Sequence, residues 1–137
     1  MLFRSRDGFA IRERLAKADP GNVELQRDLS VSHDKIGDVL RAQGNLPEAL
    51  TSFRDGLAVR ERLVRADSGN VYWQHDLSMS YANVGDSLKR TGQTSLALDA
   101  LRDSRGILTH LTTTFPDNVS WKRDLDRVEG QISELTR

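Results

Sequence analysis

A repeat of fixed period constrains this chain more than any other feature. Arg12-Glu13-Arg14-Leu15 returns as Arg60-Glu61-Arg62-Leu63, 48 residues on. The same step carries Gly21-Asn22-Val23 to Gly69-Asn70-Val71, Asp28-Leu29-Ser30 to Asp76-Leu77-Ser78 and Gly37-Asp38 to Gly85-Asp86. Residues 6–44 and 54–92 share 22 identities in 39 positions. A fainter third copy keeps the register, with Asn70, Trp73, Asp76 and Leu77 answered by Asn118, Trp121, Asp124 and Leu125. Self-similarity at a period of about 20 to 50 residues marks stacked units, each too small to bury its apolar face without neighbours.

Each period divides into two helical stretches. Leu25, Leu29, Ile36 and Leu40 step by four, seven and four, one face of a helix. Gly44 can take the left-handed conformation that ends helices. Leu46-Pro47-Glu48 restarts one, because proline suits the first turn and a carboxylate suits the positive end of the dipole. In the second stretch Ala49, Leu50, Phe53, Leu57 and Leu63 lie near one side. Asp67-Ser68-Gly69 breaks it, as do Asp19-Pro20-Gly21 and Phe115-Pro116-Asp117, each followed by an Asn placed to cap the next helix.

The spacing predicts helices over Leu2–Ala18, Val23–Gln43, Pro47–Ala66, Val71–Thr91, Ser95–Thr114 and Val119–Leu135. About six helices with no alternating strand pattern make an all-α, right-handed α-solenoid of antiparallel helix pairs. The units run as a half unit over 1–20, full units over 21–68 and 69–116, and a C-terminal capping helix over 117–137. We call the first helix of each pair A and the second B. Gly37 and Gly85 on the A helices, with Ala49, Gly56, Ala97 and Ser104 on the B helices, supply the small residues a close A–B crossing needs, and Phe53 fills the space beside it.

Composition removes several function classes. Lys and Arg number 20, as do Asp and Glu, for a net charge of zero. Binding nucleic acid through phosphates needs a basic surplus, and a membrane-surface helix needs its cations on one face. No run approaches the roughly 20 apolar residues of a membrane span, and Met-Leu-Phe-Arg-Ser-Arg-Asp lacks the apolar core of a signal peptide. With no cysteine there is no thiolate nucleophile or Cys-ligated metal. The expectation is a cytoplasmic chain with a protein or peptide partner, no nucleic acid and no membrane.

Ile36-Gly37, Leu40, Gly44, Ala49, Phe53 and Gly56, with Val84-Gly85, Leu88, Gly92, Ala97, Leu101 and Ser104 at the same offsets, resemble the tetratricopeptide repeat. That signature has a hydrophobic-Gly pair, a large apolar residue three on, a small residue opening the second helix, then an aromatic and another small residue. The period of 48 exceeds the family's usual 34, and Glu61 and Thr109 stand about where its closing proline would fall. Both helices are therefore lengthened, to roughly 30 Å for about 20 residues. Long units of this kind are similar to repeats appended to bacterial signalling proteins. The resemblance implies a non-enzymatic scaffold whose A helices line a concave groove for a peptide or partner helix.

On that face the first full A helix presents Arg27, Val31, Asp34, Asp38 and Arg41, and the second presents His75, Met79, Ala82, Asp86, Lys89 and Arg90. The C-terminal helix adds Arg123, Arg127, Gly130 and Glu134. Val31 and Met79 are apolar amid charge, and Met suits adaptable binding surfaces. Family members that clamp a C-terminal carboxylate place Lys and Asn where Asp34 or Ala82 and Asp38 or Asp86 stand here, so no such clamp is implied. Asp34 and Asp38, like charges one turn apart, suggest a partner offering Lys or Arg between them.

No catalytic residue, cofactor or metal is assigned. Asp28, Asp76 and Asp124 recur with the period, which is what a structural unit does, whereas an active site is needed once. His33 reads as buried or half-buried, His75 and His110 as surface residues, and none has the partner spacing of a helical zinc site. Trp73 and Trp121 read as core. Arg12-Glu13-Arg14 and Arg60-Glu61-Arg62 read as a solvated outer B surface with pairs such as Glu13–Lys17 and Glu61–Arg65. A second class remains, a structural or self-associating repeat segment, either a homodimer or a piece of a longer array in a multidomain signalling protein, because Leu2, Phe3, Phe9 and Ile11 leave an apolar flank on the N-terminal helix through which a homo-oligomer could form.

Overall fold

The computed structural model describes the backbone of residues 2–137 and the side chains of residues 8–137. Six helices follow in order: α1 (Leu2–Ala18), α2 (Val23–Ala42), α3 (Leu46–Ala66), α4 (Val71–Arg90), α5 (Thr94–Thr114) and α6 (Val119–Leu135). All lie within a residue of the expected bounds. The side chains of Leu2 and Phe3, expected on an apolar flank, lie outside the described residues.

The helix ends repeat with the sequence. Asn22, Asn70 and Asn118 precede α2, α4 and α6, and each side chain accepts from the backbone N–H three residues on: Leu25 at 3.2 Å, Trp73 at 3.1 Å and Trp121 at 3.0 Å. Each bond satisfies one of the donors a helix start leaves orphaned. Gly44 and Gly92 end α2 and α4 at φ of +81° and +78°. The amides of Gly44 and Asn45 return to the carbonyls of Arg41 and Leu40, and those of Gly92 and Gln93 to Lys89 and Leu88, a Schellman closure in both copies.

Every helix packs on its neighbours in the chain, α1 on α2 and so on to α5 on α6, which is the arrangement of an all-α repeat solenoid. At the A–B crossings a Cβ on Gly37 would stand 2.6 Å from the Phe53 ring, and one on Gly85 would stand 2.8 Å from Leu101 Cγ. Phe53 and Leu101, 48 residues apart, are both fully buried. Around Phe53 the core gathers Leu40, Ala49, Leu50, Val84, Leu88, Ala97 and Ala100. A second cluster joins Ala16, Leu29, Val59 and Leu63 across α1, α2 and α3, and a third joins Leu101, Leu108, Val128 and Ile132 across α5 and α6.

One side chain departs from the expected pattern. Arg60 does not lie on a solvated B surface; it is buried, 7% exposed. Its Nη1 donates to Asp34 Oδ2 at 2.6 Å, to Ser80 Oγ at 2.8 Å and to the Asp76 carbonyl at 3.3 Å. One period later the same three places hold Leu108, Ala82 and Val128, so a buried polar cluster is exchanged for an apolar one. Arg60 is admitted because three acceptors from α2 and α4 surround it; a buried guanidinium without them would be prohibitive. Of its neighbours Arg62 is exposed and Glu61 half-buried; Glu13 pairs with Lys17 at 3.4 Å as expected, whereas no Glu61–Arg65 pair forms among the described residues.

Candidate functional site

α2, α4 and α6 hold equivalent places in successive units, and the side chains between them form a ladder with the period of the sequence. Arg27 Nε lies 3.5 Å from Asp76 Oδ2, and one period later His75 Nε2 lies 2.8 Å from Asp124 Oδ2. Nearer the other helix ends, Arg41 Nη1 lies 3.1 Å from Asp86 Oδ2, and one period later Lys89 Nζ lies 2.7 Å from Glu134 Oε2. Each rung joins one A helix to the next. Lys89 holds the Glu134 carboxyl below the usual carboxylate range.

Nine of the ten expected site residues lie along this ladder. Arg27, Arg41, His75, Asp86 and Lys89 are members of rungs. Asp38 is exposed and accepts from Arg41 Nη2 at 3.0 Å, while Arg90 Nε donates to Asp86 at 2.9 Å. Val31 and Met79 are half-buried among them. The tenth, Asp34, is withdrawn from this face by Arg60. Burial pushes the Asp34 carboxyl above its ordinary pKa, outweighing the attraction of Arg60, and Oδ1 finds no hydrogen-bond partner among the described residues. Asp34 and Asp38 therefore do not form an open acidic pair for a cationic partner: each already has its own arginine.

Two expected surface histidines differ in fact. His110 is exposed, but His75 is half-buried and stacks on the Trp121 ring at 5.5 Å between centroids. Trp121 is buried and Trp73 packs against the second core cluster, as expected.

Between α4 and α6 the ladder opens into a recess of about 300 Å³. Met79, Ala82 and Val128 give it an apolar lining. Asn83 and Gln131 add amides, and Arg41, Asp86, Arg90, Asp124 and Arg127 add charge. The carboxylates are already occupied: Asp86 by Arg41 and Arg90, Asp124 by His75 and Arg127. The side chains of Arg90 and Arg127 are 53% and 62% exposed and offer further N–H groups that no described residue accepts. The recess thus presents unused donors beside an apolar lining. Among the described residues, no group of three or more His, Asp or Glu is placed to hold a metal ion, and no helix is long and apolar enough to cross a membrane.

Sequence reasoning did not assign the acceptors Asp76 and Asp124 to this face. The signal lay in the recurring dipeptides Arg27-Asp28, His75-Asp76 and Arg123-Asp124: Arg27 and His75 reach forward one unit, and Asp76 and Asp124 receive them.

Residues 34–68 match the family model described as tetratricopeptide repeat. They span the second half of α2 and all of α3, the hairpin that holds Gly37, Phe53 and Gly56. No curated protein matches the chain.

Proposed function

We propose that the chain is a non-enzymatic interaction scaffold, and that the recess between α4 and α6 receives a side chain of a partner peptide or helix. Tetratricopeptide repeats generally mediate contacts between proteins, and residues 34–68 match that family. The observation that carries the reading is the state of the recess: both of its carboxylates are engaged, while Arg90 and Arg127, which line it together with Met79 and Val128, hold donors that no described residue accepts. A partner offering an Asp, a Glu or a backbone carbonyl next to an apolar residue satisfies both features. A partner offering Lys or Arg finds no free carboxylate there.

Panning a displayed peptide library against the wild type and an Arg90→Glu/Arg127→Glu variant tests this. Peptides that pair an acidic with an apolar residue are expected on the wild type and lost from the variant. Equal enrichment on both, or a basic consensus on the wild type, overturns the reading.

A further inference from the structure

We propose that the chain also binds a second copy of itself head to tail, with the α1–α2 end of one copy stacking on α6 of the next. The grounds are separate from the recess. Helix α1 corresponds to α3 at the 48-residue step, and in α3 the residues Val59 and Leu63 are buried, at 3% and 5% exposure. Their counterparts on α1, Ile11 and Leu15, stand 55% and 48% exposed one turn apart. Gly8 stands where Gly56 meets α2, yet a Cβ there would touch only Arg12 of its own helix. This side of α1 is built like a B helix facing an A helix, and no described helix covers it.

α6 is such an A helix, and no described helix covers its outer side. Gly130 and Ser133 hold the places of Ala82 and Gly85, so small residues persist where a B helix crosses; a Cβ on Gly130 would meet nothing within 4 Å. Charge then selects the occupant. At one end of the ladder α2 carries Asp28 and Asp38, in the acceptor places of Asp76 and Asp86. At the other end are Arg123 and Arg137, in the donor places of His75 and Lys89. All four are exposed; Asp28, Arg123 and Arg137 have no ion-pair partner among the described residues, and Asp38 has only Arg41 on its own helix. The two ends therefore hold opposite halves of the same two rungs. Arg123 on Asp28 and Arg137 on Asp38 of the next copy would continue the ladder in register.

Such a contact is heterologous and leaves a free end on each copy, so it propagates instead of closing as a dimer. Sedimentation velocity over a dilution series tests it. The mass of the wild type is expected to rise with concentration beyond two copies and to fall with added salt. An Ile11→Glu/Leu15→Glu variant blocks one end and an Arg123→Glu/Arg137→Glu variant the other, each weakening self-association at least about tenfold, the equivalent of 1.4 kcal/mol. Mixed in equal amounts, the two variants are expected to form a heterodimer and nothing larger. All four substituted side chains are exposed, and circular dichroism checks the fold of each variant. As a readout by charge alone, Asp28→Arg should associate with Arg123→Glu. A wild type that stays monomeric throughout overturns the proposal, including one that instead takes up a foreign protein at Ile11. Dimerisation of the Arg123→Glu/Arg137→Glu chain alone overturns it too, because that is the mark of two α1 faces meeting.

Discussion

The Phe53 ring lies so close to Gly37 that a methyl group added there would stand 2.6 Å from Cε1, nearer than carbon atoms approach without displacement. Phe53 is fully buried and the rigid ring has nowhere to retreat. Alanine ordinarily stabilises a helix relative to glycine, by about 1 kcal/mol. At Gly37 the overpacking outweighs that gain, and Gly37→Ala should lose about 1–2 kcal/mol net. Gly106→Ala, on exposed helix where a Cβ meets nothing, should gain about 0.5–1 kcal/mol. Thermal melts of the two variants check the opposite signs.

His33 is buried, with Phe9 edge-on to its ring at 4.8 Å. Burial lowers its pKa from 6.5, against the weaker opposing pull of the Asp55 and Glu13 carboxylates. Just below pH 6.5 the unfolded chain therefore binds more protons at this site than the folded one, so stability falls as pH drops through that window. The melting temperature of the wild type should decline between about pH 7 and pH 5.5. His33→Tyr, which installs the residue found at Tyr81, should decline less; an equal slope in both would show that His33 is not the group responsible.

Asp86 serves two arginines and is 16% exposed, whereas Glu134, one period on, serves a lysine and is 55% exposed. Asp86→Ala removes the carboxylate that Arg41 and Arg90 share, leaving Arg41 only the exposed Asp38 of its own helix, and should cost about 1–3 kcal/mol. Glu134→Ala should melt close to the wild type, since solvent already screens that pair. Chemical denaturation of both variants reads the difference.

What the sequence made legible follows from periodicity. Helix bounds could be read to within a residue because Asn22, Asn70, Asn118, Gly44 and Gly92 perform local chemistry that needs no knowledge of the tertiary fold. The Gly37–Phe53 crossing was legible for the same reason, being written twice. Arg60 was not. Its neighbours Glu61 and Arg62 are half-buried and exposed, and only the fold brings Asp34 and Ser80, from different helices, to its guanidinium. The ladder was partly legible: its donors and the acceptors Asp86 and Glu134 sit at groove positions, but Asp76 and Asp124 do not, and which donor meets which acceptor is not written locally. An offset of 49 or 45 residues becomes a contact only once the helices are stacked.

Positions 48 residues apart are structurally equivalent, and the cluster around Arg60 tests that equivalence most directly. Asp34→Ala alone strands a buried guanidinium and should cost about 3–5 kcal/mol. Asp34→Ala/Arg60→Leu/Ser80→Val installs the residues found at Ala82, Leu108 and Val128, where the same space is packed with apolar groups. The measurement is the unfolding free energy of the triple variant. Equivalence predicts stability equal to or above the wild type; a triple variant as unstable as Asp34→Ala would contradict it.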